Sequence, residues 1–366
     1  MRFKRWFMLL FLLAMIVAMV ILSIKTYSLF GKGPEKTDKI RVLETERTLT
    51  ALPHYLALTL GFYREQQLEV DSLLLKDMPE EVKPDARGEV WLCNLTQCLF
   101  TRPLGTGAEL VAFAGLARKD GTFLLGREEN SSFAWEQLRR KSILGDPPDD
   151  QCNILLEEIL RKNNLFLQHQ VIIIQNIPRD LKEGTFEAGL SDYVLMPEPM
   201  ATRTEESGLG KKLTALNTSL DPVPSLVMAA SPVYLKQHER EVQKLTNGLC
   251  KAMLWLDYHG SAEAARVIAP FFPEINQPTL VKMIQQYRDM GLWDQSPVIA
   301  KEDYELLQSF VRKAGELTNP VEYSRGSNMK FAQKAAGTVQ YIPPEQQKEK
   351  SRWEKIKFYF QDLWAK

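Results

Sequence analysis

Residues 53–75 read PHYLALTLGFYREQQLEVDSLLL and contain a helix pattern followed directly by a strand pattern. Pro53 suits the first turn of a helix, and apolar residues then recur at three- and four-residue spacing as far as Glu65. Leu68–Leu75 is rich in apolar residues and predicts a strand. A helix joined to a strand by so short a connection is typical of an α/β protein.

The same alternation extends in both directions from this segment. Ile40–Leu43 predicts a strand upstream, and Glu89–Cys93 and Leu110–Leu116 predict two strands downstream. A helix is predicted from about Thr96, between the two downstream strands. Strands that alternate with helices through short connections predict a mostly parallel sheet with helices on its faces.

A second set of elements starts near Thr122. We predict strands at Phe123–Gly126, Ser142–Leu144, Val171–Ile174, Asp192–Met196 and Leu226–Ala230, and a helix at Gln151–Lys162. From Tyr234 to about Gly315 the pattern is almost wholly helical. Two α/β units with a late helical block predict two lobes joined by crossings of the chain.

The chain begins with a segment that predicts a membrane anchor. Trp6–Ile24 carries no charge and spans about 29 Å as a helix, enough to cross a hydrocarbon core. Arg2, Lys4 and Arg5 precede it, so the positive-inside bias leaves the N-terminus in the cytoplasm and places the rest of the chain outside it. A cleaved signal peptide and a buried core helix are the alternative interpretations.

Composition restricts the class of function. The 46 basic and 46 acidic residues balance, so the chain lacks the positive charge expected of a nucleic-acid-binding protein. The four histidines are not spaced as a metal-binding pair, and no GxSxG, Walker A or GxGxxG motif occurs, so the sequence predicts no metal, cofactor or catalytic residue. Cys93 and Cys98 are either a disulfide, which an extracytoplasmic location permits, or buried thiols.

Four loops lie at the predicted carboxyl ends of strands, where open α/β sheets bind their ligands. They are residues 48–52, 93–96, 145–152 and 197–199. Each leads into, or lies beside, a helix N-terminus with free backbone N–H groups. An ordinary solvated turn is the simpler interpretation of any one loop, but together they predict a binding cleft between the two halves.

Three short motifs follow one another along the chain. They are PHYLALTLGFYREQQLEV at 53–70, GLSDYVLMPEP at 189–199 and YRDMGLW at 287–293. Their order and spacing resemble those of the periplasmic substrate-binding proteins of the nitrate, sulfonate, taurine and thiamine-pyrimidine type. The resemblance covers about residues 39–335, and Gln67 replaces the usual glycine of the first motif.

The resemblance implies a type II periplasmic-binding-protein fold, a two-lobe Venus flytrap that holds its ligand between the lobes. Lobe 1 would comprise residues 39–122 and 225–335 and lobe 2 residues 123–224, with the anchor and linker at 1–38 and a C-terminal tail at 336–366. By matching positions, the implied ligand contacts are Thr48, Thr50, Tyr55, Asn94, Thr96, Asp146, Gln151 and Glu198.

The third loop departs from the family pattern. Nitrate and sulfonate binders have a Gly/Ser-rich turn there, whereas this chain has Asp146, Asp149 and Asp150. A bound anion would be repelled, so a neutral or cationic heterocycle is favoured over a sulfonate or nitrate. The adjacent acids have a second interpretation, because the helix dipole favours negative charge in a first turn.

The resemblance therefore implies a membrane-anchored, extracytoplasmic solute-binding protein that delivers a small organic molecule to the permease of an ABC transporter. It would be held at the membrane through residues 6–24. A ligand-sensing ectodomain for a signalling partner and an enzyme on the same scaffold are the alternatives.

The C-terminal residues 351–366 predict an amphipathic helix. Its apolar stripe is formed by Trp353, Ile356, Phe360, Leu363 and Trp364. The stripe suits docking on the protein's own helical block, binding at a membrane interface or insertion into a partner's groove.

Overall fold

The structure is a computed structural model that describes residues 15, 16, 19, 37–78, 88–100, 109–343 and 345. The chain divides into two compact units, Met1–Asp38 and Lys39–Lys366. No helix formed by the described residues is long and apolar enough to cross a membrane. The predicted anchor at 6–24 lies almost wholly outside the described residues, and the predicted tail helix at 351–366 lies entirely outside them.

The described residues form ten strands. They are β1 (Asp38–Glu44), β2 (Leu68–Leu74), β3 (Val90–Asn94), β4 (Val111–Gly115), β5 (Phe123–Gly126), β6 (Lys141–Leu144), β7 (Val171–Ile174), β8 (Tyr193–Met196), β9 (Lys211–Ala215) and β10 (Leu226–Ala230). Every residue of β4 and β10 is buried, which fits their uninterrupted apolar sequences.

Helices cover the sheets and dominate the C-terminal third of the chain. In the part described from residue 37 onward they are α1 (Leu52–Thr59), α2 (Phe62–Glu65), α3 (Gln151–Lys162), α4 (Lys182–Glu187), α5 (Met200–Glu206), α6 (Pro232–Gln237), α7 (Glu239–Tyr258), α8 (Ser261–Ile268), α9 (Gln277–Asp289), α10 (Lys301–Lys313), α11 (Tyr323–Gly326) and α12 (Lys330–Thr338).

The strands form two five-stranded sheets, in the orders β2-β1-β3-β10-β4 and β7-β6-β8-β5-β9. β1 runs parallel to β3, and β6 runs parallel to β7 and β8. β10 runs antiparallel to β3 and β4, and β5 runs antiparallel to β8 and β9. β10 therefore runs against β1, β3 and β4, and β5 runs against β6, β7, β8 and β9. The prediction of a mostly parallel arrangement is confirmed, with one exception in each sheet, the first strand after each crossing. The first sheet contains β1–β4 and β10, and the second contains β5–β9. The lobe boundaries at residues 122 and 225 remain a prediction.

The helix predicted from Pro53 to Glu65 is in fact two helices, α1 and α2. Gly61 separates them with a φ of +75°, a left-handed conformation that glycine adopts far more readily than other residues. The helix predicted from Thr96 is a single 3₁₀ turn, Leu95–Cys98. Cys93 and Cys98 are buried free thiols in this structure.

Close packing of α2 on α7 makes Gly248 a position where added volume should destabilise the fold. A Cβ atom at Gly248 would lie 3.2 Å from the backbone C of Phe62 and closer still to the ring of Tyr63. Gly248→Ala should therefore lower the free energy of unfolding by about 1 to 3 kcal/mol in urea titrations. Gly184→Ala, in α4, is the matched control, since nothing lies within 4 Å of its Cβ position and alanine favours helix there. Equal stability of the two variants would contradict this packing.

Candidate ligand-binding cleft

A cavity of about 420 Å³ lies where the carboxyl ends of strands from both sheets meet. The residues that follow β1, β3, β6 and β8 contribute to its walls. Both crossings between the sheets also line it, through Asp120–Thr122 at the first and Ser225 at the second. The cavity thus occupies the place where α/β sheets usually bind ligands.

All four of the predicted binding loops reach this cavity. Four of the predicted contact residues line it, namely Thr48, Thr50, Asn94 and Asp146. Thr48 also accepts a hydrogen bond from the N–H of Thr50 at 3.3 Å and so begins the short 3₁₀ helix of the first loop. The ligand contacts of these four residues remain a prediction.

The other four predicted residues are not among those that line the cavity. Tyr55 is fully buried and donates a hydrogen bond to Glu44 at 2.6 Å. The amide nitrogen of Gln151 donates to the carbonyl oxygen of Pro224 at 2.8 Å. Thr96 is fully buried in the turn after β3. These three side chains are therefore buried in the interior of the protein and do not form the wall of the cavity.

Glu198, the remaining predicted contact, is also fully buried. Its carboxylate accepts from Lys212 Nζ at 2.6 Å and from Thr202 at 2.8 Å (Oγ1) and 3.0 Å (backbone N–H). Lys212 also donates to Gln286 Oε1 at 2.9 Å. The neighbouring Pro197 lines the cavity instead. Glu198 thereby ties α5 to β9.

Asp146 lines the cavity but is already neutralised by two cations. Lys182 Nζ donates to its Oδ2 at 2.6 Å, and the Arg179 guanidinium donates to its Oδ1 at 3.0 and 3.1 Å. Burial alone would raise the pKa of Asp146, but Arg179 and Lys182 offset this and hold the pKa below its usual value.

Arg179 also joins the two sides of the cleft. It forms ion pairs with Glu46, in the loop after β1, and with Asp146 and Asp150, in the loop after β6. The sequence does not single out this arrangement, since Arg179 and Glu46 are 133 positions apart and neither belongs to a motif. The sequence also does not predict Asp120 as a lining residue, although Asp120 lies close to the predicted crossing near residue 122.

Tyr287 braces the first crossing. Its hydroxyl donates to the carbonyl oxygen of Gly121 at 2.7 Å and accepts from the N–H of Glu198 at 2.9 Å. Its ring stacks on Phe123, with the ring centroids 6.1 Å apart. Trp293, from the same motif, donates to the carbonyl oxygen of Thr50 at 3.0 Å. Tyr287 and Trp293 of the YRDMGLW motif therefore hold the backbone of loops that surround the cavity.

A metal ion is poorly suited to this site. Ligand atoms of Asp146, Asp150 and Cys152 lie within 4.8 Å of one another, which is the one such group among the described residues. However, Arg179 and Lys182 already occupy the carboxylate oxygens. Burial, followed by the charges of Asp146 and Asp150, raises the pKa of the Cys152 thiol and disfavours the thiolate that binds metals.

A buried polar network lies behind the first loop. Glu44 lines the cavity and accepts hydrogen bonds from Tyr55, from Ser72 and, at 2.8 Å, from Arg47. His54 Nε2 lies 3.1 Å from the hydroxyl of Ser72, and its Nδ1 lies 2.8 Å from the hydroxyl of Tyr63. The charge of Glu44 is therefore compensated by donors of its own lobe.

Burial, with a smaller contribution from Arg47, lowers the pKa of His54 to about 3. An unfolded chain binds this proton near pH 6.5, so between pH 6.5 and 3 the unfolded state binds more protons than the folded state. Stability should fall as the pH falls through this range, with His54 contributing up to about 1.4 kcal/mol per pH unit.

Urea titrations between pH 7 and 5 test this expectation. His54→Gln should show a shallower loss of stability on acidification than the unmodified protein, whereas the exposed His169→Gln should leave the slope unchanged. Parallel pH profiles for the unmodified protein and His54→Gln would refute the assignment.

The chain shares its fold with periplasmic binding proteins and with a ligand-binding component of an ABC-type import system. One solved structure with this fold is the alkanesulfonate-binding protein SsuA of Xanthomonas axonopodis pv. citri bound to MOPS, with a TM-score of 0.62, 13% identity and coverage of 80% of this chain and 98% of SsuA. Another is the zinc-bound ligand-binding component of an ABC-type import system of Staphylococcus aureus, with a TM-score of 0.61, 14% identity and coverage of 81% and 99%. The resemblance predicted from the sequence is thus confirmed.

In sequence, the chain is 27% identical over 307 residues to the "Putative binding protein YtlA" of Bacillus subtilis (strain 168), covering 83% of this chain and 91% of that protein. No protein-family model matches the chain. The desulfurization enzyme DSZB also shares the fold, with a TM-score of 0.59, 15% identity and coverage of 82% and 99%, so the scaffold serves binding proteins and at least one enzyme.

Proposed function

We propose that the chain is the solute-binding protein of an ABC import system and captures a small organic molecule in the cavity between its two sheets. The observation that carries this proposal is the cavity itself, which is lined from both sheets and by both crossings. A ligand that contacts both sides stabilises the closed form, which is the form a permease can recognise. The fold and the similarity to a binding protein of Bacillus subtilis support the same function.

The charges of the lining residues favour a neutral or cationic ligand over a sulfonate or nitrate. Five carboxylates line the cavity, those of Glu44, Glu46, Asp120, Asp146 and Asp150. The one lysine or arginine among the described lining residues is held by three of these acids. An incoming anion would therefore meet negative charge with no cation available to bind it.

We further propose that the protein is anchored in the membrane through residues 6–24, with its N-terminus in the cytoplasm and its binding domain outside. The uncharged stretch and the basic residues before it support this arrangement. The anchor would keep the binding domain beside the transmembrane subunit of the transporter. Sensing for a signalling partner would use the same cavity, and a permease gene beside this one would favour transport.

Asn94 lines the cavity and is only half-buried, so it provides the test of ligand binding. A thermal-shift panel of neutral heterocycles, amines and sulfonates identifies the compound that stabilises the unmodified protein most. Asn94→Ala should weaken the binding of that compound by about 1 to 3 kcal/mol in calorimetry, because a buried hydrogen bond is lost. The melting temperature of the empty protein should barely change.

Gln237→Ala, which removes an exposed amide at the end of α6, is the control and should bind as the unmodified protein does. If Asn94→Ala binds the compound normally, the ligand does not occupy this cavity. If sulfonates alone stabilise the protein, the proposed ligand class is wrong.

A further inference from the structure

Asp120 is a buried carboxylate on the wall of the cavity, in the segment that leads from β4 to β5. Asp120 is only 6% exposed to solvent. Oδ1 accepts a hydrogen bond from the N–H of Thr122 at 2.8 Å. Oδ2 receives a contact of 3.5 Å from the hydroxyl of Ser225, which is at the limit of a hydrogen bond. One oxygen of this carboxylate is thus poorly satisfied.

The basic groups near the cavity are committed to other acids. Arg179 contacts Glu46, Asp146 and Asp150, and Lys182 is buried against Asp146. Within the described residues, Asp120 forms no ion pair of its own, as the ion pairs involve other carboxylates. It therefore differs from the other four carboxylates that line the cavity, each of which forms at least one ion pair within the protein.

A carboxylate removed from water is unfavourable until a cation or several donors join it. Burial raises the pKa of Asp120, hydrogen bonds from Thr122 oppose this, the charge of Asp150 adds to the rise, and the charge of Arg179 partly offsets it. Arg179 acts on Asp120 only from a distance, because its ion pairs are with Glu46, Asp146 and Asp150. A cationic ligand that enters the cavity can supply the direct partner that Asp120 lacks.

We infer that Asp120 binds a protonated nitrogen of the ligand, so that the cavity selects small organic cations such as amines, amidines or protonated heterocycles. The ligand's N–H donates to Oδ2 of Asp120, while Thr50 and Asn94 line the space left for the remainder of the molecule. This inference rests on the proposed function and narrows its ligand class from neutral or cationic to cationic. It makes Asp120 the residue that determines the charge of the ligand.

The test compares the full chain with its Asp120→Asn variant, which keeps the acceptor for Thr122 and removes the charge. Three probes of similar shape are used in calorimetry at pH 7, namely benzylamine, benzyl alcohol and benzenesulfonate. The unmodified protein should bind benzylamine most tightly. Asp120→Asn should lower the affinity for benzylamine by about 10- to 100-fold and change the affinity for benzyl alcohol little. Asp149→Asn, an exposed acid of the third loop, is the matched control and should bind as the unmodified protein does.

The empty variant provides a readout that needs no ligand. Because an unpaired buried charge is removed, Asp120→Asn should melt roughly 2 °C or more above the unmodified protein. A lower melting temperature would show that Asp120 is structural and would overturn the inference. Tighter binding of benzenesulfonate or benzyl alcohol than of benzylamine would also overturn it. If the thermal-shift panel yields a ligand for the cavity but that ligand is uncharged, or if Asp120→Asn binds a cationic one as tightly as the unmodified protein does, the proposed function stands and the inference is overturned.

Discussion

Replacing Lys182 by methionine should lower the free energy of unfolding by about 3 to 5 kcal/mol. Lys182 is fully buried, and its ammonium group lies 2.6 Å from Asp146 Oδ2 and 3.2 Å from the carbonyl oxygen of Leu195. Methionine fills a similar volume but leaves Asp146 with Arg179 as its remaining cation. The loss is large because a charge that was paired inside the protein becomes partly uncompensated there.

Urea unfolding of Lys182→Met at pH 7 measures this effect. Lys141→Met is the matched control, since its pair with Asp192 at 3.0 Å lies on the surface and should contribute less than about 1 kcal/mol. A double variant that also carries Asp146→Asn should recover part of the loss, because the unpaired charge is gone. If Lys182→Met and Lys141→Met are equally stable, the buried pair does not hold the third loop in place.

Replacing Glu198 by alanine should have an effect of similar size, about 3 to 5 kcal/mol. The change leaves the ammonium group of Lys212 buried without its carboxylate and removes the acceptor for the N–H of Thr202. Lys212 keeps its contacts with Thr202 and Gln286, which do not supply a negative charge. The empty Glu198→Ala protein should therefore melt at a lower temperature than the empty unmodified protein, whether or not ligand binding changes.

Glu187→Ala, an exposed acid at the end of α4, controls for the loss of a glutamate and should be nearly neutral. Adding Lys212→Met to Glu198→Ala should restore stability in part, because the orphaned cation is removed as well. A Glu198→Ala variant that is as stable as the unmodified protein but binds ligand poorly would place Glu198 in the binding site after all.

Much of the framework could be predicted from local patterns. The bounds of β5, β7, β10 and α3 agree with the predicted ranges, because each is a compact apolar or periodic run between clear turn signals. The four loops at strand ends also converge as expected, since the carboxyl ends of the strands point toward one cleft.

The features that the sequence did not predict depend on contacts between residues that are far apart in the chain. Sequence pattern does not show that Gly61 adopts a left-handed conformation and divides a helix, or that β5 and β10 enter their sheets antiparallel. Sequence pattern also cannot distinguish an acid of a motif that faces a ligand from one that is buried against a lysine. Glu198 stands in the motif and is buried, whereas Asp120 stands outside every motif and lines the cavity.

The motifs themselves gain a physical explanation. Tyr55 and Tyr63 of the first motif take part in the network around Glu44 and His54. The second motif supplies Glu198, and the third supplies Tyr287, which contacts it through the backbone. All three motifs therefore support the loops around the cavity rather than supply its charges, so they predict the scaffold better than the ligand.

Native mass spectrometry of the full chain tests the central claim most directly, namely that the cavity between the sheets binds one small molecule. The protein is incubated with a metabolite extract, separated from free compounds and sprayed under non-denaturing conditions beside a Thr48→Trp variant, whose indole should fill the cavity. We expect the unmodified protein to carry a single small organic adduct that is released on denaturation, and the Thr48→Trp protein to carry none. An adduct that persists in the folded Thr48→Trp protein, or an unmodified protein that never carries one, would contradict the account.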